Sequence, residues 1–323
     1  MKALALLSGG LDSVLAVKLI LEQGIEVEAV NFVSPFATCN RKGRCYSAEV
    51  SQKLNIPLKI IAKDEEYLEL LRHPKYGYGS GMNPCIDCRI FMLRKAKEYA
   101  EQTGAKFIFT GEVVGQRPMS QRRKALELIE REAGLEGKLL RPLSAKLLPE
   151  TEAERMGWVD RERLLDISGR SRKTQFKLAE QLGVTDYACP AGGCLLTQKE
   201  FAEKVRQLFQ HKERITTTDV MLLKIGRHFW QDGSHIIVGR NEAENKRLLD
   251  LKSGEDYVFE VLNYPGPITI LQGSKSPPAI ELAARLTARY SDAEADKVLV
   301  ECRKDGDRER VVIETANPGD RAS

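Results

Sequence analysis

The chain has 323 residues, 42% hydrophobic and 30% charged, a profile that fits a globular protein with room for two domains. No apolar run approaches the ~18–20 residues that cross a bilayer, and the short apolar start runs straight into a glycine-rich turn; a membrane span and a signal peptide are not expected, and a cytoplasmic location is. A formal charge of +4 is too mild to announce a nucleic-acid binder, and seven cysteines, an odd number, suit reduced thiols with metal or catalytic roles better than a disulfide framework.

The charge is uneven. Residues 1–220 carry 35 Lys and Arg against 29 Asp and Glu, and residues 221–323 carry 15 against 17. Bulk attraction for a phosphate backbone therefore belongs to the first two thirds.

Residues 1–7 read as a buried strand and 14–21 as a helix, with Ser8-Gly9-Gly10-Leu11-Asp12-Ser13 between them. Strand, small-residue turn and helix start together build a phosphate cradle, because glycines let backbone N–H groups face an anion and the helix N-terminus adds a favourable dipole. The turn lacks Gly-Lys-Ser/Thr and the dinucleotide spacing, so it is neither a Walker loop nor a Rossmann fingerprint. It resembles the PP-loop of ATP pyrophosphatases, which hold the pyrophosphate of ATP while AMP is transferred.

Residues 25–33 alternate into a second strand, and Asn31 to Ser34 at its C-terminal end are expected to border an adenosine. The basic loop from Cys39 to Cys45 offers two thiols without a second close pair, so a surface segment is as good a reading as a metal site. A helix is predicted over 46–54, a third strand over 56–61, a loop over 73–83, a helix over 89–102 and a fourth strand over 104–110. Strands alternating with helices over about 110 residues imply a doubly wound parallel sheet.

Asn83-Pro84-Cys85-Ile86-Asp87-Cys88-Arg89 places a C-x-x-C at a helix start, where two thiols can share a metal or cluster or form a redox pair. The only other close pair, Cys189 and Cys194, has four intervening residues, so a zinc ribbon is disfavoured; a cluster held by three thiolates fits the count. Thr110-Gly111-Glu112-Val113-Val114-Gly115-Gln116, closing on Ser120-Gln121, follows the fourth strand at the same sheet edge as the first loop.

These motifs, with Met92 and Leu140-Arg141-Pro142-Leu143, occur together and in order, and over roughly residues 1–200 they resemble the catalytic domain of the tRNA 4-thiouridine synthetase family in its cysteine-rich form. A more distant similarity runs to the tRNA 2-thiouridylases. The resemblance implies that Ser8, Gly9, Gly10, Asp12 and Ser13 hold the ATP phosphates, with Asp12 near Mg2+. Gly111 and Gln116 would close the nucleotide site. Cys85 and Cys88 would supply two ligands of a 4Fe-4S cluster and Cys194 the third, with Cys189 its competitor. Asp12, Cys88 and Cys194 would carry the chemistry. Members of that family have an RNA-binding extension before the loop, which here begins at Ser8, so something else is expected to recognise RNA.

Arg161, Arg163, Arg170, Arg172, Lys173 and Lys177 form a basic stretch, a phosphate-binding face or a solvated helix end. Residues 201–210 read as the last helix of the first domain, with a hinge over 211–218. Beyond it, short strands are predicted at 222–228, 235–238, 257–262, 268–271, 298–301 and 311–314, with one helix over 278–290. This gives a smaller α+β domain, and domain bounds of 1–212 and 219–323. Val238-Gly239-Arg240-Asn241, Asn245, Asp256-Tyr257-Val258-Phe259, Pro265-Gly266-Pro267, Ala283-Ala284 and Tyr290-Ser291 resemble the RNA-binding domain of the NFACT proteins. The family pattern Asp-x-Trp-x-His is Asp256, Val258, Glu260 here, which removes an aromatic and an imidazole. His228, Trp230 and His235 read equally as core, hairpin or contact residues.

The expected function is ATP-dependent tRNA sulfur transfer, with ATP, Mg2+ and a 4Fe-4S cluster as cofactors, and tRNA and a sulfide or persulfide donor as partners. The oligomeric state is open, a homodimer included. The alternatives are sulfur transfer to a small molecule or free nucleobase, or a non-enzymatic tRNA- or ribosome-binding factor.

Overall fold

A computed structural model describes residues 1–38, 45–185, 187, 193–304 and 307–314. Cys39 and Cys189 lie outside the described residues. Two compact units separate between Lys199 and Glu200.

The first unit is built on five parallel strands in the order β3-β2-β1-β4-β5: β1 Lys2–Leu6, β2 Glu26–Val33, β3 Leu58–Ala62, β4 Phe107–Thr110 and β5 Leu139–Leu140. The intervening helices are α1 Leu11–Leu21, α2 Tyr46–Lys53, α3 Glu65–Arg72, α4 Cys85–Thr103 and α5 Arg123–Ala133; α6 Glu152–Arg155 and α7 Lys173–Gln181 follow β5. β1 is central and buried on both faces, which is why it reads as a continuous apolar run. Ala3, Ala5 and Leu7 face one core with α1 and Ala179 of α7, while Leu4 faces a second with Leu93, Ala96 and Ala100 of α4 and Ile129 and Ala133 of α5. Helices thus cover both faces of the sheet, as expected for a doubly wound fold. The order reverses at β1, with β2 on one side and β4 on the other, and crevices form outside the carboxyl ends of strands at such a point.

The second unit holds α8 Lys199–His211, α9 Thr217–Leu222, α10 Glu242–Leu251 and α11 Pro277–Arg289 around an antiparallel sheet in the order β11-β10-β8-β9-β7-β6. Its strands are β6 Arg227–Gln231, β7 Ser234–Val238, β8 Tyr257–Val261, β9 Thr269–Gly273, β10 Lys297–Lys304 and β11 Asp307–Glu314. Ala279, Ala283 and Ala284 of α11 pack on one face with Ile236, Phe259 and Leu271. Leu222 of α9 and Leu248 of α10 cover Ile237, Val258 and Ile270 on the other.

Several sequence expectations fail here, and residues 201–210, read as the last helix of the first domain, lie in α8 within the second unit. The stretch predicted as a strand over 222–228 begins as the end of α9, whose capping box pairs Thr216 with Asp219 and satisfies the first helical N–H groups. Helix α10 went unread although Asn241 caps it, its side chain accepting from the Glu244 N–H at 3.0 Å. Helix α4 also starts four residues before the predicted helix, so the C-x-x-C forms its first turn.

Candidate active site

The turn after β1 places its groups by local geometry. Gly9 has φ +76°, and a Cβ there would lie 2.8 Å from the Ser47 nitrogen of α2, so only glycine lets the turn pack against that helix. Gly10 is the N-cap of α1 and offers no side-chain cap, which leaves N–H groups of the first turn open to an anion. Ser13 Oγ donates to the Gly10 carbonyl at 2.8 Å and lies 3.2 Å from Ser8 Oγ, so both hydroxyls are held at the loop.

The loop after β4 closes on this turn. Gly111 lies so near the start of α1 that a Cβ would be 2.4 Å from the Asp12 carbonyl oxygen and 2.5 Å from the Ser13 nitrogen. Gln116 Nε2 donates to Asp12 Oδ2 at 2.6 Å, and Gln175 Nε2 of α7 donates to Gln116 Oε1 at 2.9 Å. Asp12 Oδ1 is buried without a hydrogen-bond partner. Burial raises the Asp12 carboxyl above its usual range, against the pull of Gln116, Arg172 and Arg117. An acid with an unused oxygen at a phosphate cradle fits a Mg2+ position, since a bound cation would supply the missing partner. Asn31 at the end of β2 donates to the Leu7 carbonyl at 2.7 Å and braces the turn. Ser8, Asp12, Ser13, Asn31, Gly111 and Gln116 line one open cleft of about 630 Å3.

The cysteines gather beside it. Cys85 and Cys88 stand three residues apart at the N-terminus of α4, hence on one face. Asn83 Nδ2 donates to Cys85 Sγ at 3.2 Å. Asp87 accepts the Lys75 and Tyr76 N–H groups at 2.9 and 3.1 Å and pins the preceding loop. Cys194 arrives from the far end of the unit because its neighbours dock by backbone bonds: Thr38 N to Gly193 O at 3.2 Å, Leu195 N to Phe36 O at 2.8 Å and Met82 N to Leu196 O at 2.8 Å.

Burial opposes ionisation of Cys88, but Lys63, whose Nζ lies 3.0 Å from its sulfur, outweighs it with help from Tyr67 and Arg89, so the thiol is lowered. Burial pushes Cys194 up to about 11, with the neighbouring Cys88 and Cys85 adding to the rise. The three thiols sense one another's charge, and Lys63 and Arg89 lower Cys88 but leave Cys194 raised. Among the described residues, the side chains are not drawn into a group of three that could hold a metal ion.

Residues that sequence reasoning gave no role join the two halves. Arg89 and Arg117 line the cleft, and Arg117 is close enough to both Asp12 and Cys85 to feel each charge. Glu112 is buried between Arg89, at 3.3 Å, and Arg141, at 3.1 Å, and Arg141 also pairs with Glu130. Burial disfavours the Glu112 carboxylate, but the two guanidiniums hold its carboxyl below the usual range. Arg89, Glu112 and Arg141 each sit inside a quoted motif, and Lys63 directly follows β3 at the crevice edge, which was the available signal. Nothing local marks Tyr67 or Gln175, while Arg172 belongs to the basic stretch.

The basic stretch is partly structural. Arg161 pairs with Glu154 and donates to the Leu148 carbonyl at 2.9 Å, Arg163 donates to the Glu22 carbonyl at 2.8 Å, and Arg172 reaches within 3.9 Å of Asp12. In the second unit, Asp256 accepts from Ser253 N and Gln272, and Glu260 pairs with Arg303 at 2.8 Å.

A glycine turn at the tip of a central parallel strand, backed by a carboxylate and a helix N-terminus, has the geometry of a phosphate cradle. Residues 1–146 match the family model described as thiamine biosynthesis protein (ThiI), and residues 226–321 match the NFACT protein RNA-binding domain. Two separate stretches of the chain therefore resemble two different families, and neither match covers half of it. A tRNA-specific 2-thiouridylase MnmA from Xanthobacter autotrophicus is 26% identical over 73% of this chain and 61% of its own length. A probable tRNA sulfurtransferase from Acetivibrio thermocellus is 36% identical over 36% of this chain and 29% of its own. A solved 4-thiouridine synthetase–RNA complex with bound ATP is 24% identical with a TM-score of 0.39, covering 69% of this chain and 52% of that one. The chain spans between about a third and three fifths of the length of these curated relatives. Among the described residues no helix is long and apolar enough to cross a membrane.

Proposed function

We infer that this chain is an ATP-dependent tRNA sulfurtransferase that activates a uridine carbonyl and replaces its oxygen by sulfur, a 4-thiouridine-type product being the first expectation. The observation that carries this reading is the junction of phosphate cradle and thiols: Arg89, which directly follows Cys88 in the first turns of α4, lines the same cleft as Ser8, Asp12 and Gln116.

The chemistry follows from that junction. Ser8, Gly9, Gly10 and Ser13 hold the phosphates of ATP against the open N–H groups of α1, Asp12 holds Mg2+, Asn31 borders the nucleoside, and Gly111 and Gln116 close the site. The uridine oxygen attacks the α-phosphorus as the bond to pyrophosphate breaks, with Arg89 and Arg117 stabilising the charge that develops. Hydrosulfide then adds to the activated carbon, and AMP departs with the oxygen; from a persulfide donor the outer sulfur adds while still bonded to its carrier, and a second thiolate breaks that S–S bond, leaving a disulfide and the thiolated uridine. Holding both reactants in one cleft supplies much of the acceleration. Cys85, Cys88 and Cys194 would hold a 4Fe-4S cluster, which supplies a thiophilic metal centre for the incoming sulfur; without it, Cys88 or Cys194 would carry the sulfur as a persulfide. The NFACT-type domain supports tRNA as the partner, and the family match of the first 146 residues supports the reaction class.

The test is reconstitution of the full chain with unmodified tRNA, ATP, Mg2+ and sulfide under anaerobic conditions, followed by mass spectrometry of tRNA nucleosides. A thiolated uridine with AMP and pyrophosphate is the expected result. Unchanged tRNA overturns the assignment. Iron-free protein that still thiolates overturns the cluster alone.

A further inference from the structure

We propose that the exposed face of α7, in the first unit, receives the RNA strand that carries the acceptor uridine: Phe176 stacks on a neighbouring unstacked base, and Arg170, Lys173 and Lys177 hold the flanking phosphates. The inference rests on the proposed function for the choice of RNA, and it selects a polynucleotide over a free nucleobase as the acceptor.

The inner face of α7 fixes the helix to the phosphate cradle. Gln175 Nε2 donates to Gln116 Oε1 at 2.9 Å, Arg172 Nε lies 3.9 Å from Asp12 Oδ2, and the Gly169 N–H before the helix donates to the Val114 carbonyl at 2.8 Å. Ala179 is buried in the core with α1. Phe176 stands four residues after Arg172, so the two share one side of the helix. Long helical side chains lean towards the helix N-terminus, which brings the Phe176 ring over the turn that carries Arg172. That ring is 40% exposed, although it neighbours a residue that reaches Asp12.

The charge on this face runs against what a solvated helix needs. Residues 167–179 carry four cations, Arg170, Arg172, Lys173 and Lys177, and no carboxylate. Cations at a helix N-terminus oppose the dipole, and Lys173 and Lys177, four residues apart, repel each other. Arg172 has Asp12, but Arg170, Lys173 and Lys177 are exposed and have no ion-pair partner among the described residues. Glu180, the one acidic residue of α7, lies near its C-terminus, where the dipole favours a cation. Charges and an exposed ring that cost the free protein stability mark a surface built for a partner. A polyanion offsets the cations, and a polyanion with π-faces also uses the ring; single-stranded nucleic acid supplies both.

The full-length protein is titrated with a fluorescently labelled, unmodified tRNA transcript by anisotropy at several salt concentrations. Phe176→Ala should weaken binding about tenfold, the order of one lost base–aromatic stack. Lys173→Gln combined with Lys177→Gln should lower the slope of log K against log salt by about 1.5, close to two phosphate contacts, while Lys173→Arg with Lys177→Arg should keep the parental slope. The change in slope isolates these contacts from any that another surface makes with the tRNA. The double glutamine variant should also melt at a higher temperature, because it removes a like-charge pair and an adverse dipole contact. Parental affinity in Phe176→Ala, or a parental slope or lowered melting temperature in the double glutamine variant, overturns the proposal. If both variants bind tRNA as the parent does but take sulfur more slowly from a persulfide carrier protein, the face belongs to an acidic protein and the RNA reading falls. Altered binding in variants of a protein that fails to thiolate tRNA leaves the face standing and removes the catalytic reading; thiolation with parental binding in both variants does the reverse.

Discussion

Gln116 Nε2 donates to Asp12 Oδ2 at 2.6 Å, joining the loop after the fourth strand to the loop after the first across 104 residues of sequence. Gln175 supports Gln116 in turn, so three separated segments fix one carboxylate. The other oxygen of that carboxylate has no hydrogen-bond partner, which makes Asp12 the place where binding and stability meet.

Asp12→Asn is therefore expected to stabilise the ligand-free protein while abolishing ATP turnover. The folded carboxyl sits above its unfolded value of 3.8, chiefly through burial. A raised acid favours the folded state below the unfolded value, and that contribution is lost as pH rises through the folded one. At neutral pH the ionised Asp12 is thus a cost that asparagine removes. Thermal melts at pH 7 should show a higher midpoint, by about 2–4 °C for each kcal/mol gained. A lower midpoint in the variant contradicts the sign.

Gly111→Ala tests the close approach of the two loops. The added methyl would meet backbone atoms of Asp12 and Ser13 at 2.4 and 2.5 Å, which cannot swing aside as a side chain would. Overpacking of this kind costs roughly 1–3 kcal/mol. ATP affinity measured by calorimetry should fall more than tenfold, because the start of α1 has to move. Wild-type affinity would mean that the cradle tolerates displacement.

Glu112→Gln should destabilise strongly, because it leaves Arg141, whose side chain is 1% exposed, with Glu130 alone. Breaking a buried pair costs about 3–5 kcal/mol, and the surviving partner places this case at the lower end. The Glu112 carboxyl lies below its unfolded value of 4.5 because Arg89 and Arg141 outweigh burial. Its contribution is present above 4.5 and disappears as pH falls through the folded value. Denaturant unfolding from pH 7 towards pH 3 should show the variant losing less stability than the parent.

Serine at Cys85, Cys88 and Cys194 in turn should separate sulfur delivery from activation. At least two of the three variants are expected to lose thiolation by about a hundredfold or more, equivalent to roughly 2.7 kcal/mol of barrier. ATP binding should stay within about twofold, since the phosphate cradle is built from other residues. Full thiolation in all three variants would remove the cysteines from the site.

Much of this architecture was legible locally. The apolar run of β1 and the glycine turn that follows it betray themselves within about a dozen residues, because backbone conformation and helix-end electrostatics are short-range properties. The C-x-x-C likewise announced a helix start. Helices α9 and α10 carry local signals only in their caps, Thr216 with Asp219 and Asn241 with Glu244, because runs of 6 and 10 residues are too short for a clear apolar period.

The partnerships could not be read that way. Lys63 beside Cys88, Gln175 behind Gln116, and Arg117 in reach of both Asp12 and Cys85 depend on strand order and on which loops emerge at one sheet edge. By itself the sequence determined the glycine cradle, the thiols and the alternation of strands and helices, since each is written in neighbouring residues. Only the tertiary structure decided which charges those groups face, because Coulomb energy and desolvation depend on distance in space and not along the chain.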